Sequence, residues 1–185
     1  MTFKSLPLVL GFVANSYAAD LNLLDLQFNG AAGEPNWAAE NDAVMGGLSD
    51  GRVVVKEGSL VFSGKLSFEN NGGFASVMSN EKNFDLTGAT DLKLRVKGDG
   101  RTYRFRISTD ARHRGRSIVY MASFTTKAGE WQEVKIPFVT FKPSHHGNAL
   151  DGPPLDLAKV EEIGFLLGDK NAEAFSLAVD WLRSE

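Results

Sequence analysis

The chain has 185 residues, no Cys, and 20 Lys or Arg residues against 23 Asp or Glu. This length predicts one domain that buries roughly 70% of its unfolded surface, so folding needs neither a metal nor a disulfide. The absence of Cys excludes thiol catalysis and thiolate metal sites, and the mildly acidic charge gives no reason to expect nucleic-acid binding.

The N-terminus has the three parts of a secretory signal peptide. Met1–Lys4 carries one positive charge, Ser5–Val13 is an apolar run, and Ser16-Tyr17-Ala18 places small residues at the −3 and −1 positions. The run is too short for the roughly 20 residues of a membrane span, so no transmembrane segment is expected. The pattern predicts a signal peptide over residues 1–18 and an exported domain over residues 19–185, either periplasmic or secreted.

The rest of the protein is a succession of short β segments separated by turn residues. Val, Ile, Phe, Tyr and Trp dominate the segments, and Gly, Asn, Asp or Pro lie between them. In sequence order, the predicted strands are Arg52–Val55, Ser59–Phe62, Ala75–Met78, Asp91–Val96, Thr102–Ser108, Ile118–Phe124, Gln132–Ile136, Ile163–Leu167 and Phe175–Trp181. A short helix is predicted over Leu155–Glu162, and residues 29–36 and 142–154 are predicted to be long loops. Many short strands with Gly-rich turns favour an all-β sandwich or barrel.

The clearest periodicity lies on either side of Gly98-Asp99-Gly100. Apolar residues alternate there with Lys and Arg, which puts the two sets on opposite faces of a strand. If the glycines form a hairpin turn, one outward face carries four basic residues: Lys93, Arg95, Arg104 and Arg106. Guanidinium groups suit carboxylate or phosphate, so this basic face is the predicted binding surface. The alternative is a solvated face whose Arg residues pair with Asp or Glu of neighbouring strands.

Other residues that often carry chemistry favour structural roles here. Trp131 and Trp181 lie in or beside apolar strand patterns, which favours core packing. Trp37 lies in a loop and is the best candidate for exposure of the three, but packing against the Asn41–Ser49 turn is favoured there too. The adjacent His145 and His146 would point apart on a strand, so no metal site and no cofactor are predicted. No nucleophile, phosphate-loop or zinc-protease motif is present, so no catalytic residue is assigned and the protein is not expected to be an enzyme.

The stretch from Asn41 to Ser49 joins a polar pair, a small apolar run, a double glycine and a serine. Gly-Gly permits left-handed angles and close backbone approach, and the polar side chains can hydrogen-bond nearby amides. The stretch therefore predicts a structured turn that leads into a strand. With the tryptophan upstream, it resembles the signature of the complex I intermediate-associated protein family. The signature residues are Trp37, Asn41, Asp42, Met45, Gly46, Gly47 and Ser49.

The resemblance continues over roughly Leu24 to Leu182. The further matching blocks are Phe62-Ser63-Gly64, Gly72–Ser76, Val96–Tyr103, Trp131–Phe138, Ile163–Lys170 and Phe175–Trp181. The resemblance implies a galactose-binding-like β-sandwich of jelly-roll type, in which the signature residues serve structure. It also implies a non-enzymatic assembly factor that binds a protein partner, and we expect a monomer. A carbohydrate-binding module for an envelope or extracellular glycan is the alternative.

Overall fold

A computed structural model describes residues 24–30, 34–80, 83–145 and 147–185. The predicted signal peptide lies outside these residues. In the described part of the protein the secondary structure consists of thirteen β-strands and four short 3-10 turns. No helix in this part has the length and hydropathy of a membrane span.

The strands form two antiparallel sheets. The six-stranded sheet has the order β3 (Asp50–Lys56), β4 (Ser59–Lys65), β13 (Ala174–Ser184), β6 (Asp91–Lys97) and β9 (Trp131–Pro137), with β1 (Asp25–Leu26) also paired to β13. The seven-stranded sheet has the order β11 (Asn148–Ala149), β10 (Lys142–His145), β8 (Arg116–Thr125), β7 (Thr102–His113), β12 (Val160–Leu167), β5 (Ala75–Ser79) and β2 (Trp37–Ala39).

The two sheets share one hydrophobic core, because alternate residues of each strand point to the same side. Leu94 in the six-stranded sheet and Phe105 in the seven-stranded sheet are both fully buried members of this core. The ring centroids of Phe105 and Phe165 lie 5.1 Å apart at an interplanar angle of 89°, the edge-to-face arrangement that aromatic pairs favour. The predicted all-β sandwich is therefore confirmed.

The predicted helix over Leu155–Glu162 is wrong. Only Leu157–Lys159 forms a 3-10 turn, and strand β12 begins at Val160. The strand pairs with β5 and β7, and a register shift between Val160 and Glu162 disguises its alternation. Similarly, the predicted loop over residues 142–154 contains β10 and β11.

The predicted hairpin at Gly98-Asp99-Gly100 is also wrong, because β6 and β7 belong to different sheets. The segment is a crossover between them: Gly98 pairs with Ala128, and a side chain at Gly98 would collide with Thr126 at 2.4 Å. Alternation shows which residues face the core, but both sheets enclose the same core. The four predicted binding residues are therefore divided between opposite outer faces, with Lys93 and Arg95 on one and Arg104 and Arg106 on the other.

The expected core packing of Trp131 and Trp181 is wrong. Trp131, 39% exposed, and Trp181 lie on the outer face of the six-stranded sheet, in register with Lys97 and Arg95. A bulge between Val179 and Trp181 turns Trp181 outward, and such a bulge cannot be read from alternation. Trp37 instead packs against the core, with its ring centroid 5.9 Å from that of Phe28 and 6.2 Å from that of Phe165.

Candidate functional site: a groove framed by the signature loop

The signature loop, residues 41–49, is organised around the carboxylate of Asp42. This side chain is fully buried at the start of a 3-10 turn. Its Oδ1 accepts a hydrogen bond from the amide of Ser49 at 3.0 Å. Its Oδ2 accepts from the Ser49 hydroxyl at 2.6 Å and from the amides of Gly73 and Phe74 at 2.7 and 3.3 Å. One carboxylate thus connects the signature loop to a segment about thirty residues later.

These hydrogen bonds keep Asp42 ionised inside the protein. Burial by itself would raise the pKa of the carboxyl group, but the hydrogen bonds from Ser49, Gly73 and Phe74 outweigh it and leave the pKa below its usual value of 3.8. A carboxylate whose oxygens accept hydrogen bonds from two separate backbone segments acts as a structural anchor. Its geometry leaves little room for acid–base work.

The local structure requires glycine at both positions of the signature pair, for two different reasons. Gly46 ends the 3-10 turn in the left-handed region at φ 85°, where a side chain would be strained. A Cβ at Gly47 would lie 2.4 Å from the carboxyl carbon of Asp42, so a side chain there would displace the anchor. This is the tight turn that the sequence predicts.

A second loop, residues 66–74, packs against the signature loop. The hydroxyl of Ser49 accepts a hydrogen bond from the amide of Ser67 at 3.1 Å, and the side-chain amide of Asn70 donates to the carbonyl of Gly46 at 3.1 Å. At the other end of the signature loop, the side-chain amide of Asn41 donates to the carbonyl of Gly51 at 2.9 Å. The two loops therefore behave as one hydrogen-bonded unit.

A third loop, residues 168–173, is fixed by Arg101. The guanidinium donates to both carboxylate oxygens of Asp169, through Nε at 2.8 Å, and to the carbonyls of Asn171 and Glu173 at 2.7 and 3.0 Å. The hydrogen bond from Arg101 holds the pKa of Asp169 below its usual value, and the pKa of Arg101 is raised in return. Only 8% of the Arg101 side chain is exposed, so solvent screens this pair weakly.

The three loops frame an open groove of about 760 Å³ at one end of the sandwich. Leu48 and Phe68, which are 57% and 45% exposed, line it beside the charged side chains of Asp50, Lys65 and Glu69. Ala172 of the third loop completes the lining. Met45, also on the signature loop, is 53% exposed. The groove thus presents large apolar side chains to solvent from loops that buried polar networks hold in place.

The structure does not bring the four predicted binding residues together, and none of them lines the groove. Lys93 pairs with Glu185 at 2.7 Å, and Arg95 pairs with Asp180 and stacks on Trp131 at 5.1 Å. The other two, Arg104 and Arg106, lie on the outer face of the seven-stranded sheet. In the described residues no group of three or more His, Asp or Glu side chains has the geometry of a metal site. His146 lies outside these residues.

Sequence reasoning missed Leu48, Phe68, Arg101 and Asp169 as parts of one site. Leu48, Arg101 and Asp169 lie in blocks that carry the family resemblance and Phe68 lies between two of them, so the blocks themselves were the available signal. What the sequence did not show is that these blocks meet at one end of the sandwich.

A family model for Complex I intermediate-associated protein 30 matches residues 26–179. The chain belongs to this family. The mouse (Mus musculus) mitochondrial Complex I intermediate-associated protein 30 is 31% identical over 166 residues, which cover 79% of this chain and 51% of the mouse protein. The Drosophila melanogaster mitochondrial protein of the same name is 27% identical over 161 residues, covering 83% and 54%. The chain thus spans about half the length of these curated relatives.

These relatives contradict the predicted periplasmic or secreted location, because both are mitochondrial. The prediction rested on the pattern of residues 1–18 alone. Secretory signal peptides carry a short apolar run, whereas mitochondrial targeting segments are amphipathic and Arg-rich. The correction comes instead from the domain, whose residues 26–179 match the family.

Solved structures with the same fold include carbohydrate-binding modules. A family 11 module from Clostridium thermocellum, in complex with a β-1,3-1,4-mixed-linked tetrasaccharide, has a TM-score of 0.63 at 18% identity and covers 88% of this chain and 94% of the module. An agarase has a TM-score of 0.58 at 10% identity, and the match covers 88% of this chain and 24% of the enzyme. At these identities the likeness shows the fold alone.

Proposed function

We propose that this domain is a non-enzymatic protein-binding module that associates with an assembly intermediate of complex I. Family membership supports a role related to complex I assembly, since the curated relatives are named for such intermediates. The observation that carries the proposal is the groove, in which Leu48 and Phe68 are about half exposed on the two loops that Asp42 connects, beside a third loop that Arg101 fixes.

The groove has the composition of a protein interface. Exposed apolar side chains that cluster, rather than scatter singly, mark interaction sites on soluble domains. Leu48 and Phe68 supply the apolar centre, and Asp50, Lys65 and Glu69 supply a polar border of both signs. Loops that are already ordered lose little conformational freedom on binding, which favours affinity. An apolar segment of a partly assembled protein fits this surface.

A glycan is the second candidate, favoured by the exposed Trp131 on the outer face of the six-stranded sheet. Flat aromatic rings can serve as platforms for sugars. However, the Arg95 guanidinium carbon and the Lys97 ammonium nitrogen lie 5.1 and 5.6 Å from the centroid of this ring, so a sugar would have to displace cations that already stack there. This competition makes the glycan the weaker candidate.

The test replaces the matching region of the mouse relative with this domain in cells that lack the relative. Mature complex I is then measured by native electrophoresis, together with co-migration of the chimaera with smaller intermediates. We expect the chimaera to support assembly and the variant Leu48→Ser/Phe68→Ser to lose co-migration. The matched control is Val139→Ser, because Val139 is 83% exposed and does not line the groove.

Two results would overturn the proposal. The first is a chimaera that folds but neither co-migrates with intermediates nor restores complex I. The second is full assembly by the groove variant, which would exclude the groove as the contact. Binding of mixed-linked β-glucan by the isolated domain, lost in Trp131→Ala and kept in the groove variant, would establish the glycan candidate instead.

A further inference from the structure

Arg106 occupies an unusual position on the outer face of the seven-stranded sheet. It starts on β7, yet its Nη1 donates to the hydroxyl of Ser76 on β5 at 2.9 Å. Strand β12 lies between these two strands, so the Arg106 side chain must cross it. The residue opposite Arg106 on β12 is Gly164, which has no side chain to obstruct the crossing. Arg106 therefore lies flat against the sheet and is only partly exposed, with its Nε fully buried.

The guanidinium of Arg106 has no carboxylate in contact within the described residues. Its Nε is buried without a hydrogen-bond partner, and Ser76 is an uncharged partner that itself donates to the carbonyl of Glu40. Burial lowers the pKa of Arg106, and the more distant charges of Glu40 and Glu162 offset only part of this effect. By contrast, Arg101 is bound to both oxygens of a carboxylate.

A buried guanidinium without a paired anion is costly, and the pairing that suits it best is a bidentate carboxylate. No described residue supplies such a carboxylate to Arg106, so a binding partner could supply it. Arg104 lies two residues along the same strand and forms no ion pair with any described residue. Lys142, in register with Met121, adds a further positive charge to the same face.

The apolar residues around Arg106 are aliphatic rather than aromatic. Met121 is in register with Arg106, Leu166 with Arg104, and Met78 with Gly164. The Phe and Tyr residues of β7, β8 and β12 all belong to the buried core, so these strands place no Phe, Tyr or Trp on this face. Methionine and leucine adapt to varied aliphatic side chains, whereas a sugar is usually held on an aromatic ring.

We propose that this face binds a polypeptide segment through a carboxylate that pairs with Arg106, with Arg104 beside it. The aliphatic neighbours, chiefly Met121 and Leu166, would contact the apolar side chains next to that carboxylate. The site lies on the sheet rather than in the loop groove, so it does not depend on the function proposed for the groove. The side chain of Asp or Glu and the C-terminus of a polypeptide supply the same carboxylate chemistry.

The test uses the full-length protein and a fluorescent eight-residue peptide of alternating Leu and Glu, with a Leu/Gln peptide as its uncharged match. Binding is measured by fluorescence anisotropy, and the Nε–H resonance of Arg106 is followed by NMR. We expect the Leu/Glu peptide to bind and to shift that resonance. Arg106→Gln should weaken binding by about tenfold or more, since hydrogen bonds to charged groups are the strong ones. Arg52→Gln, an exposed arginine on the other sheet, should leave binding unchanged.

Three results would overturn the proposal. Equal binding of the Leu/Glu and Leu/Gln peptides, both with blocked C-termini, would show that no carboxylate is recognised. Unaltered affinity in Arg106→Gln, in a variant with wild-type stability, would exclude Arg106 as the contact. Binding of oligogalacturonate but not of the Leu/Glu peptide would assign the face to an acidic glycan. The two carboxylate sources, a Glu side chain and a C-terminus, are separated by comparing the Leu/Glu peptide with a Leu/Gln peptide that has a free C-terminus. Binding of either peptide that is lost in Arg106→Gln supports the site.

Discussion

The carboxylate of Asp42 accepts a hydrogen bond from the amide of Gly73 at 2.7 Å, across 31 residues of sequence. Asp42→Asn keeps the shape of the side chain but removes its charge. It also replaces one carboxylate oxygen, which accepts hydrogen bonds, by an NH2 group, which can only donate and would face other donors. We expect it to destabilise the domain by about 1–3 kcal/mol, the usual range for leaving buried groups unsatisfied. Urea denaturation measures this, with the exposed Asp151→Asn as the control. Equal midpoints for the two variants would show that the network is not an anchor.

The hydrogen-bonded carboxylates of Asp42 and Asp169 make stability depend on pH. The pKa values of Asp42 and Asp169 are both lower in the folded protein than their usual value of 3.8, so the unfolded protein binds more protons in acid. Their contribution to stability is present above about pH 4 and is lost as the pH falls through the folded values. Asp42→Asn should therefore flatten the fall of the unfolding free energy in this acidic range. Parallel curves for the variant and the wild type would contradict this assignment.

Gly46 and Gly47 should respond differently to alanine. Gly46→Ala meets open space but a left-handed backbone, so a cost of about 1–2 kcal/mol is expected. Gly47→Ala places a methyl group 2.4 Å from the carboxyl carbon of Asp42, and overpacking of this kind costs about 1–3 kcal/mol.

A double-mutant cycle separates the two mechanisms. The cost of Gly47→Ala should shrink when Asp42→Ala has removed the carboxylate, whereas the cost of Gly46→Ala should not depend on the collision. If the costs of Gly47→Ala and Asp42→Ala simply add in the double variant, the collision with the Asp42 carboxylate is not the reason that position 47 requires glycine.

Arg101 should control the order of the third loop. Arg101→Lys keeps the charge but loses the fork that reaches both Asp169 and the carbonyls of Asn171 and Glu173. We expect a loss of about 1–3 kcal/mol, since the pair is only partly open to solvent. Hydrogen exchange of the amides in residues 169–173 should accelerate. Arg52→Lys, whose ion pair with Asp50 is mostly exposed, is the matched control and should change neither quantity.

Tryptophan fluorescence should reproduce the different burial of the three rings. Variants that retain a single tryptophan, with Phe at the other two positions, isolate each ring. Acrylamide should quench Trp131 most steeply because it is 39% exposed on a sheet face, and Trp37 least because it packs on Phe28 and Phe165. Steeper quenching of Trp37 than of Trp131 would contradict the burial seen in the structure.

The local pattern of the sequence was sufficient for most of the long strands and for most of the core. Leu92, Leu94 and Val96 alternate with basic residues, and burial in the structure follows that alternation. Alternation is a local property of an extended backbone, so it can be read without knowing the partners of a strand. The turn at Gly46 and Gly47 was likewise predictable, because it depends on the angles and space that glycine alone allows.

Only the tertiary structure decided which strands share a sheet and which loops share a site. Arg95 and Arg104 are nine residues apart, yet they lie on opposite outer faces because the backbone passes from one sheet to the other at Gly98. Asp42 and Gly73 are far apart in sequence and meet because β3, β4 and β5 bring their loops to one end. Pairing of this kind is set by contacts between distant segments, and each local pattern fits several pairings equally well. The sequence therefore determined most of what lies inside the sandwich, and the fold determined what meets on its surface.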